Sequence, residues 1–274
     1  MDRYLKALVL SALLAAAAPS HANNEPGLTE YQAAIEARDK VARLMEQMSD
    51  STLAELENLP ANSKEDARAL LLEYAPKYLE QLNASADLGF PPAQFLFAQT
   101  LKDRAQLAGE NREANKEKAC ELLDKASTRN LLAAAVGKSS YCSTLNMGSD
   151  FTVLLKNIDE SRKQLATTLT QPDPYEAYYP LKAFTHPDCF ERDTASNDVN
   201  ALNQMTPLQR MQAVASPLMS LKETQAQAYF LLATHELATQ KDLARKHFAQ
   251  AEELGCSSEG FLAMKKNLDK TKTK

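Results

Sequence analysis

Residues 89–130 read GFPPAQFLFAQTLKDRAQLAGENREANKEKACELLDKASTRN. Ala93, Leu96, Phe97 and Leu101 recur at helical spacing behind the proline pair Pro91-Pro92. Ala119, Leu122, Leu123 and Ala126 do so again after a polar link, Gly109 to Arg112. The spacing predicts two antiparallel helices, the first opening at the prolines, which a first helical turn tolerates. Such a hairpin cannot bury its apolar faces alone, so it calls for neighbours of the same kind on either side.

The composition agrees with an all-α chain. Only 7 of 274 residues are glycine, the residue on which positive-φ turns, tight hairpins and phosphate loops depend. Ala, Leu, Glu, Gln and Lys dominate instead, and all are good helix formers. Apolar residues make up 44%, enough for a sizeable core. The net charge of −5 argues against nucleic acid or an anionic membrane as partner, since either favours a basic face. The basic end, Lys265-Lys266 and Lys270 to Lys274, is expected to be a solvated tail complementing a helix C-terminus.

Arg3 and Lys6 flank the start of a short apolar run, Ala7 to Ala18, and Ser20-His21-Ala22 puts small residues at the −3 and −1 positions of a signal-peptidase site. Cleavage is expected after Ala22. The run holds about a dozen residues, short of the ~20 that span a bilayer. The mature chain is therefore expected to be a soluble periplasmic or secreted protein. Cys120, Cys142, Cys189 and Cys256 all lie beyond the leader. An even count in an oxidising compartment points to two disulfides, with three pairings open. Free thiols and a metal site are the alternatives, and no CxxC spacing supports the metal.

Further helices follow from periodicity. Tyr31, Ala34, Ile35, Val41, Leu44, Met45 and Met48 predict the first, behind a capping-box pattern at Thr29 to Gln32. A short piece over Thr52 to Leu59 ends at Pro60. Ala67, Leu70, Leu71, Tyr74, Tyr78 and Leu82 predict the next, with Pro76 expected to kink or split it and Gly89 to end it. Asn130 to Leu145 and Phe151 to Leu169 read as two more. From Thr170 to Thr206 the pattern breaks at Pro172, Pro174, Pro180 and Pro187, while Tyr175, Tyr178, Tyr179, Phe184 and Phe190 mark the stretch as packed or functional. A short helix is expected inside it, over Tyr175 to Phe184. Helices are expected again over Met205 to Met219, Glu223 to Leu237, Asp242 to Leu254 and Ser257 to Leu268.

The first hairpin has a relative near the C-terminus. Ala93 to Ala98 (AQFLFA) aligns without gaps to Ala228 to Ala233 (AYFLLA), and Lys118 to Ala126 aligns to Leu243 to Ala251. Ala119 and Ala126, like Ala244 and Ala251, stand two helical turns apart and so share a face. This pattern resembles the Sel1-like repeat of the tetratricopeptide superfamily. Ala93, Gln94, Leu96, Ala98, Lys118, Ala119, Lys125 and Ala126 match its unit in one copy. Ala228, Tyr229, Leu231, Ala233, Ala244, Ala251 and Gly255 match it in the other. Ser85 to Gly89 resembles the close of an earlier unit. Ala98 and Ala233 stand where the family prefers glycine. The resemblance implies a right-handed solenoid of divergent helical hairpins with an irregular proline-rich insertion. The expected organisation is a signal peptide over 1–22, N-terminal helices over 23–62, repeats over 63–169, the irregular segment over 170–206, and a final repeat with its basic tail over 207–274. Exported proteins of this family often carry a disulfide per repeat, which implies Cys120 with Cys142 and Cys189 with Cys256.

The residues suggest no catalytic site. His186, Asp188 and Cys189 form the one cluster of catalytic residue types, and a hydrolase built on His186 and Cys189 is the least favoured reading because the pair lies in a proline-rich loop. His235 and His247 fall on facing helices and are expected to be packed or solvated. No HExxH, GxSxG or phosphate loop occurs. No cofactor and no metal is expected. The favoured function is an interaction scaffold that binds another protein. First helices of the family line a concave face, which makes Gln94, Phe97, Gln99, Tyr229 and Leu232 candidates for reaching a partner. The narrower alternative is a periplasmic immunity protein against a phospholipase-type toxin of type VI secretion, which exported Sel1-like proteins resemble.

Overall fold

The computed structural model describes residues 25–49, 61–106, 111–142, 151–191 and 216–270. The expected signal peptide, the helix over Thr52 to Leu59, most of the helix from Met205 and the last four residues of the tail lie outside them. Among the described residues the chain is helical with a single two-stranded ribbon. It forms two units, divided at Ala93 and Gln94.

In the first unit α1 (Leu28–Ser49) packs on α2 (Ala61–Asp87). Leu28, Tyr31, Ala34 and Ala37 recur every three or four residues and form the buried stripe of α1. Leu82, Ala86 and Phe90 are buried as well, and the Tyr31 and Phe90 rings lie 5.0 Å apart. Thr29 sits inside the first turn of α1 rather than capping it, because the helix already begins at Leu28. Pro76 does not split α2, which runs through it unbroken.

The second unit holds α3 (Pro91–Gln106, apart from its first turn), α4 (Arg112–Thr128), α5 (Leu132–Tyr141), α6 (Phe151–Leu169), α7 (Leu221–Glu236), α8 (Lys241–Glu253) and α9 (Glu259–Lys270). On α4, Ala119, Leu122, Leu123 and Ala126 are buried, and α4 packs on α5. Ala244 and Ala251 of α8 are buried too, on the face that meets α7. Helix α7 is central and buried nearly all round, so it lacks a polar face. One side, with Ala228, Leu231 and Leu232, meets Leu132, Ala135, Val136 and Leu165. The other, with Ala226, Phe230 and Ala233, meets Phe248, Phe261 and the disulfide Cys189–Cys256. A full capping box, Ser220 with Glu223, starts α7 two residues earlier than periodicity predicts.

Three helices end alike. Gly89 after α2, Asn130 after α4 and Gly255 after α8 all have positive φ. In each case that residue and the next donate back across the last turn: Gly89 to Ala86 and Phe90 to Ser85, Asn130 to Ser127 and Leu131 to Ala126, Gly255 to Glu252 and Cys256 to Ala251. This is the Schellman arrangement, with a buried residue following the turn (Phe90, Leu131 or Cys256) in all three.

The segment after α6 contains no helix of the expected length. Pro180 ends a single 3₁₀ turn, Glu176–Tyr178, and the chain enters β1 (Leu181–Lys182). It pairs antiparallel with β2 (Leu218–Met219), so the end of the expected Met205 helix is a strand instead. The segment acts as a strap. Asp173 Oδ2 accepts from the Leu132 amide at 2.9 Å and from the Tyr179 hydroxyl at 2.8 Å, while Oδ1 accepts from the Tyr175 amide at 2.8 Å. Tyr179 Oη accepts from the Ala133 amide at 3.0 Å. Residue Leu131 offers α5 no side-chain cap, so the strap supplies acceptors for its orphan amides. Burial pushes the Asp173 carboxyl above its usual range, against the pull of those three bonds, and pushes the Tyr179 hydroxyl up as well. Further along the strap, Phe184 is inserted beside Phe95 and edge-on to Tyr141, and Gly137 of α5 lies beneath it. Gln99 Nε2 donates to the Lys182 carbonyl at 2.5 Å, and Lys102 Nζ donates to the Phe184 carbonyl. Burial lowers the Lys102 pKa.

Candidate functional site

The strap leads to the disulfide. Cys189 bonds Cys256 (S–S 2.02 Å) and Cys120 bonds Cys142 (2.06 Å), the pairing that the family resemblance implies. Cys189 is therefore no thiol nucleophile, which removes the hydrolase built on it. Its carbonyl accepts from the amides of Ser257 and Ser258, and its own amide donates to Gln227 Oε1 at 3.0 Å. Ser258 caps α9 by accepting from the Phe261 amide at 3.1 Å, and its hydroxyl donates to the Asp188 carbonyl at 2.5 Å. Residues 188–190 are thus tied to α7 and to the start of α9 by a covalent bond and four hydrogen bonds.

Between these fixed walls lies an open groove of about 570 Å³. Phe230, Leu231 and Thr234 of α7 form one side, Asp188, Phe190 and Glu191 a second, and Ser258, Glu259, Gly260 and Met264 the third. A second recess of about 300 Å³ shares Met264 and continues past Leu237, Lys241, Asn267 and Leu268. Met264 is 40% exposed, so apolar surface faces water here without cover from the described residues.

The partner-binding candidates drawn from the sequence lie elsewhere. Gln94, Gln99 and Leu232 are buried, which withdraws them from any partner. Gln99 is spent on the strap, and Leu232 packs against α5 and α6. Phe97 is half-buried. Tyr229 is half-buried against the core, with its ring 5.8 Å from that of His247. The reason is that α7 is enclosed on both sides, so equivalent positions of its repeat carry core residues. Sequence reasoning missed the groove. Its one sequence signal was Gly260, an isolated glycine inside a helical pattern.

His186 Nδ1 lies 3.4 Å from the Pro187 carbonyl oxygen, whereas His235 and His247 belong to a buried polar cluster. Glu236 is only 2% exposed. Its Oε2 accepts from His247 Nδ1 at 2.7 Å, and its Oε1 lies 3.7 Å from Arg162 Nη1. Next to it, His235 Nε2 is 3.2 Å from Ser139 Oγ. Burial, then the charge of Arg162, lowers the His235 pKa. Serine, histidine and glutamate are hydrolytic residue types, but here the carboxylate engages His247 and Arg162, and Ser139 and Glu236 are sealed from solvent. The cluster ties α5, α6, α7 and α8 together rather than meeting a substrate. Among the described residues no group of three His, Cys, Asp or Glu side chains is placed to hold a metal ion, and no helix is long and apolar enough to cross a membrane. Comparison with family models, curated proteins and solved structures returns no match to this chain.

Proposed function

We propose that this chain is an exported helical-hairpin repeat protein of Sel1-like type that binds another protein and performs no chemistry of its own. The groove between α7 and α9 carries this reading. Its floor is apolar, its walls are fixed before any partner arrives, and pre-organised walls reduce the entropy cost of binding. Export is supported by two formed disulfides, which persist in oxidising compartments. The repeat reading is supported by the common geometry of the helix ends at Gly89, Asn130 and Gly255, together with the gapless match of α3 to α7.

Site-specific photo-crosslinking in the producing cell tests the binding role. A crosslinker in place of Met264 is expected to capture a discrete protein, and one in place of Leu155, an exposed leucine on α6, is expected to capture none. Equal capture from both positions, or none from Met264, would refute it. N-terminal sequencing of the exported chain is expected to begin at Asn23.

A further inference from the structure

We propose that the groove selects a partner segment that places a lysine or arginine beside its apolar side chains. This rests on the groove being the partner site and adds the chemistry of the partner. Asp188, Glu191 and Glu259 line the larger recess together with Phe190, Phe230 and Met264, and among the described residues lining it there is no lysine, arginine or histidine. The nearest cation along α9, Lys265, turns to Glu252 of α8 at 2.6 Å. The N-terminus of α9 offsets this field by roughly half a charge, against the two carboxylates of Glu191 and Glu259 alone, so the recess stays negative. The smaller recess brings in Lys241 instead. The groove is therefore acidic at the start of α9 and apolar along its floor, with its first cation at the far end, and that polarity fixes which way a cationic, apolar segment lies.

Gly260 is the second observation. It sits in α9, where glycine is a poor helix former. Its φ is not positive, and a Cβ built on it would meet nothing within 4 Å. Among the described residues no turn or close approach requires a glycine there. What the missing side chain provides is open space in the groove wall. From Gly260 to Leu268 the helix rises about 12 Å, room for a segment of about four extended residues or two helical turns, and amphipathic segments commonly dock in grooves this way.

The experiment pans a random dodecapeptide phage library on the full oxidised chain and measures binding of the enriched peptides by fluorescence anisotropy. Enriched peptides are expected to carry Lys or Arg next to aromatic or aliphatic residues. Gly260→Leu is expected to weaken them at least tenfold while its thermal midpoint stays at or above that of the parent, because leucine is the better helix former. Glu191→Gln and Glu259→Gln are each expected to weaken binding about threefold, as rim charges do, and added salt should mimic them. Neutral or acidic peptides that still lose affinity in Gly260→Leu would overturn the charge selection and leave the groove as the partner site. Peptides that bind Gly260→Leu as tightly as the parent, or a failure to enrich any peptide, would overturn both. Self-association of the parent chain that Gly260→Leu abolishes, with no peptide enriched, would assign the groove to a second copy and likewise overturn the proposal.

Discussion

Gly137→Ala separates two opposing effects, and their order can be read from the structure. On helix propensity alone, alanine in the middle of α5 should stabilise the chain by about 1 kcal/mol. Packing opposes this. The added Cβ would lie 3.0 Å from Phe184 Cγ, 3.1 Å from Phe184 Cβ and 3.2 Å from Leu123 Cδ2. Phe184 has little freedom to retreat, since Phe95 and Tyr141 flank its ring at 5.9 and 5.2 Å and Lys102 Nζ lies over it at 5.1 Å. Overpacking of a tight core costs ~1–3 kcal/mol, so the net expectation is a loss of about 1 kcal/mol. Phe184→Ala alone should cost about 3–5 kcal/mol. In that background the ring is gone, and the remaining neighbours of the added methyl, Cβ of residue 184 and Leu123 Cδ2, can give way into the vacated space, so Gly137→Ala should now stabilise by up to about 1 kcal/mol. The sign reversal corresponds to a coupling of roughly 2 kcal/mol between strap and helix. With no tryptophan in the chain, the assay is urea unfolding followed by far-ultraviolet circular dichroism, with amide exchange over α5 as a local probe. If Gly137→Ala stabilises the parent by the full helix-propensity gain, Phe184 is not held as described and the reasoning fails.

Asp173→Ala strands the Leu132 amide and the Tyr179 hydroxyl, so a loss of about 2–4 kcal/mol is expected, against ~1 kcal/mol for Tyr179→Phe; equal losses in urea titrations would count against the capping role. In the chain-entropy model the sequence separations of 22 and 67 make Cys120–Cys142 worth about 3.4 kcal/mol and Cys189–Cys256 about 4.4 kcal/mol. Replacing the second pair by serine should therefore lower the thermal midpoint further, and the reverse order would contradict the model. His235 has a folded pKa below its unfolded value, so the unfolded chain takes up a proton that the folded chain refuses. Its contribution is complete above about pH 6.5 and is lost as pH falls toward the folded pKa, by at most ~1.4 kcal/mol per pH unit. His235→Gln should flatten that acid limb, and an unchanged limb in pH-dependent unfolding would show that the group titrates normally.

What was legible in the sequence was local. Helix formers, alanine spacing and the glycine after α2 fixed the elements because each acts within a turn or two of its neighbours. Ala119, Ala126, Ala244 and Ala251 all point inward as their spacing required. Two kinds of information were not local. One is the orientation of α7: its sequence matches that of α3, but its burial on both sides is set by α5, α6, α8 and Phe261 of α9, so Leu232 and Tyr229 could not be placed by periodicity. The other is the strap. Asp173 and the Leu132 amide it accepts from are 41 residues apart, Tyr179 and Ala133 are 46 apart, and no propensity scale links such groups after α6 to amides at the start of α5. Prolines marked the segment as irregular without showing that its bonds replace the missing cap.

The strap also explains why the groove lies where it does. A proline-rich segment with five aromatics reads as a binding loop, yet its aromatics Tyr175, Tyr179 and Phe184 are turned inward or hydrogen-bonded to α5. Its end lines the groove instead, through Asp188, Phe190 and Glu191. That end stays in place because α7 supplies Gln227, α9 supplies Ser258 and Cys256 supplies the covalent link. Each anchor is buried, so the wall can carry exposed carboxylates without depending on them for its own stability. Rigid support beneath a charged and apolar rim suits the binding role proposed above. The proposed binding role therefore rests on the meeting of strap, α7 and α9, while Gln99 and Lys102 of the alanine-rich hairpin hold the strap by its carbonyls at Lys182 and Phe184.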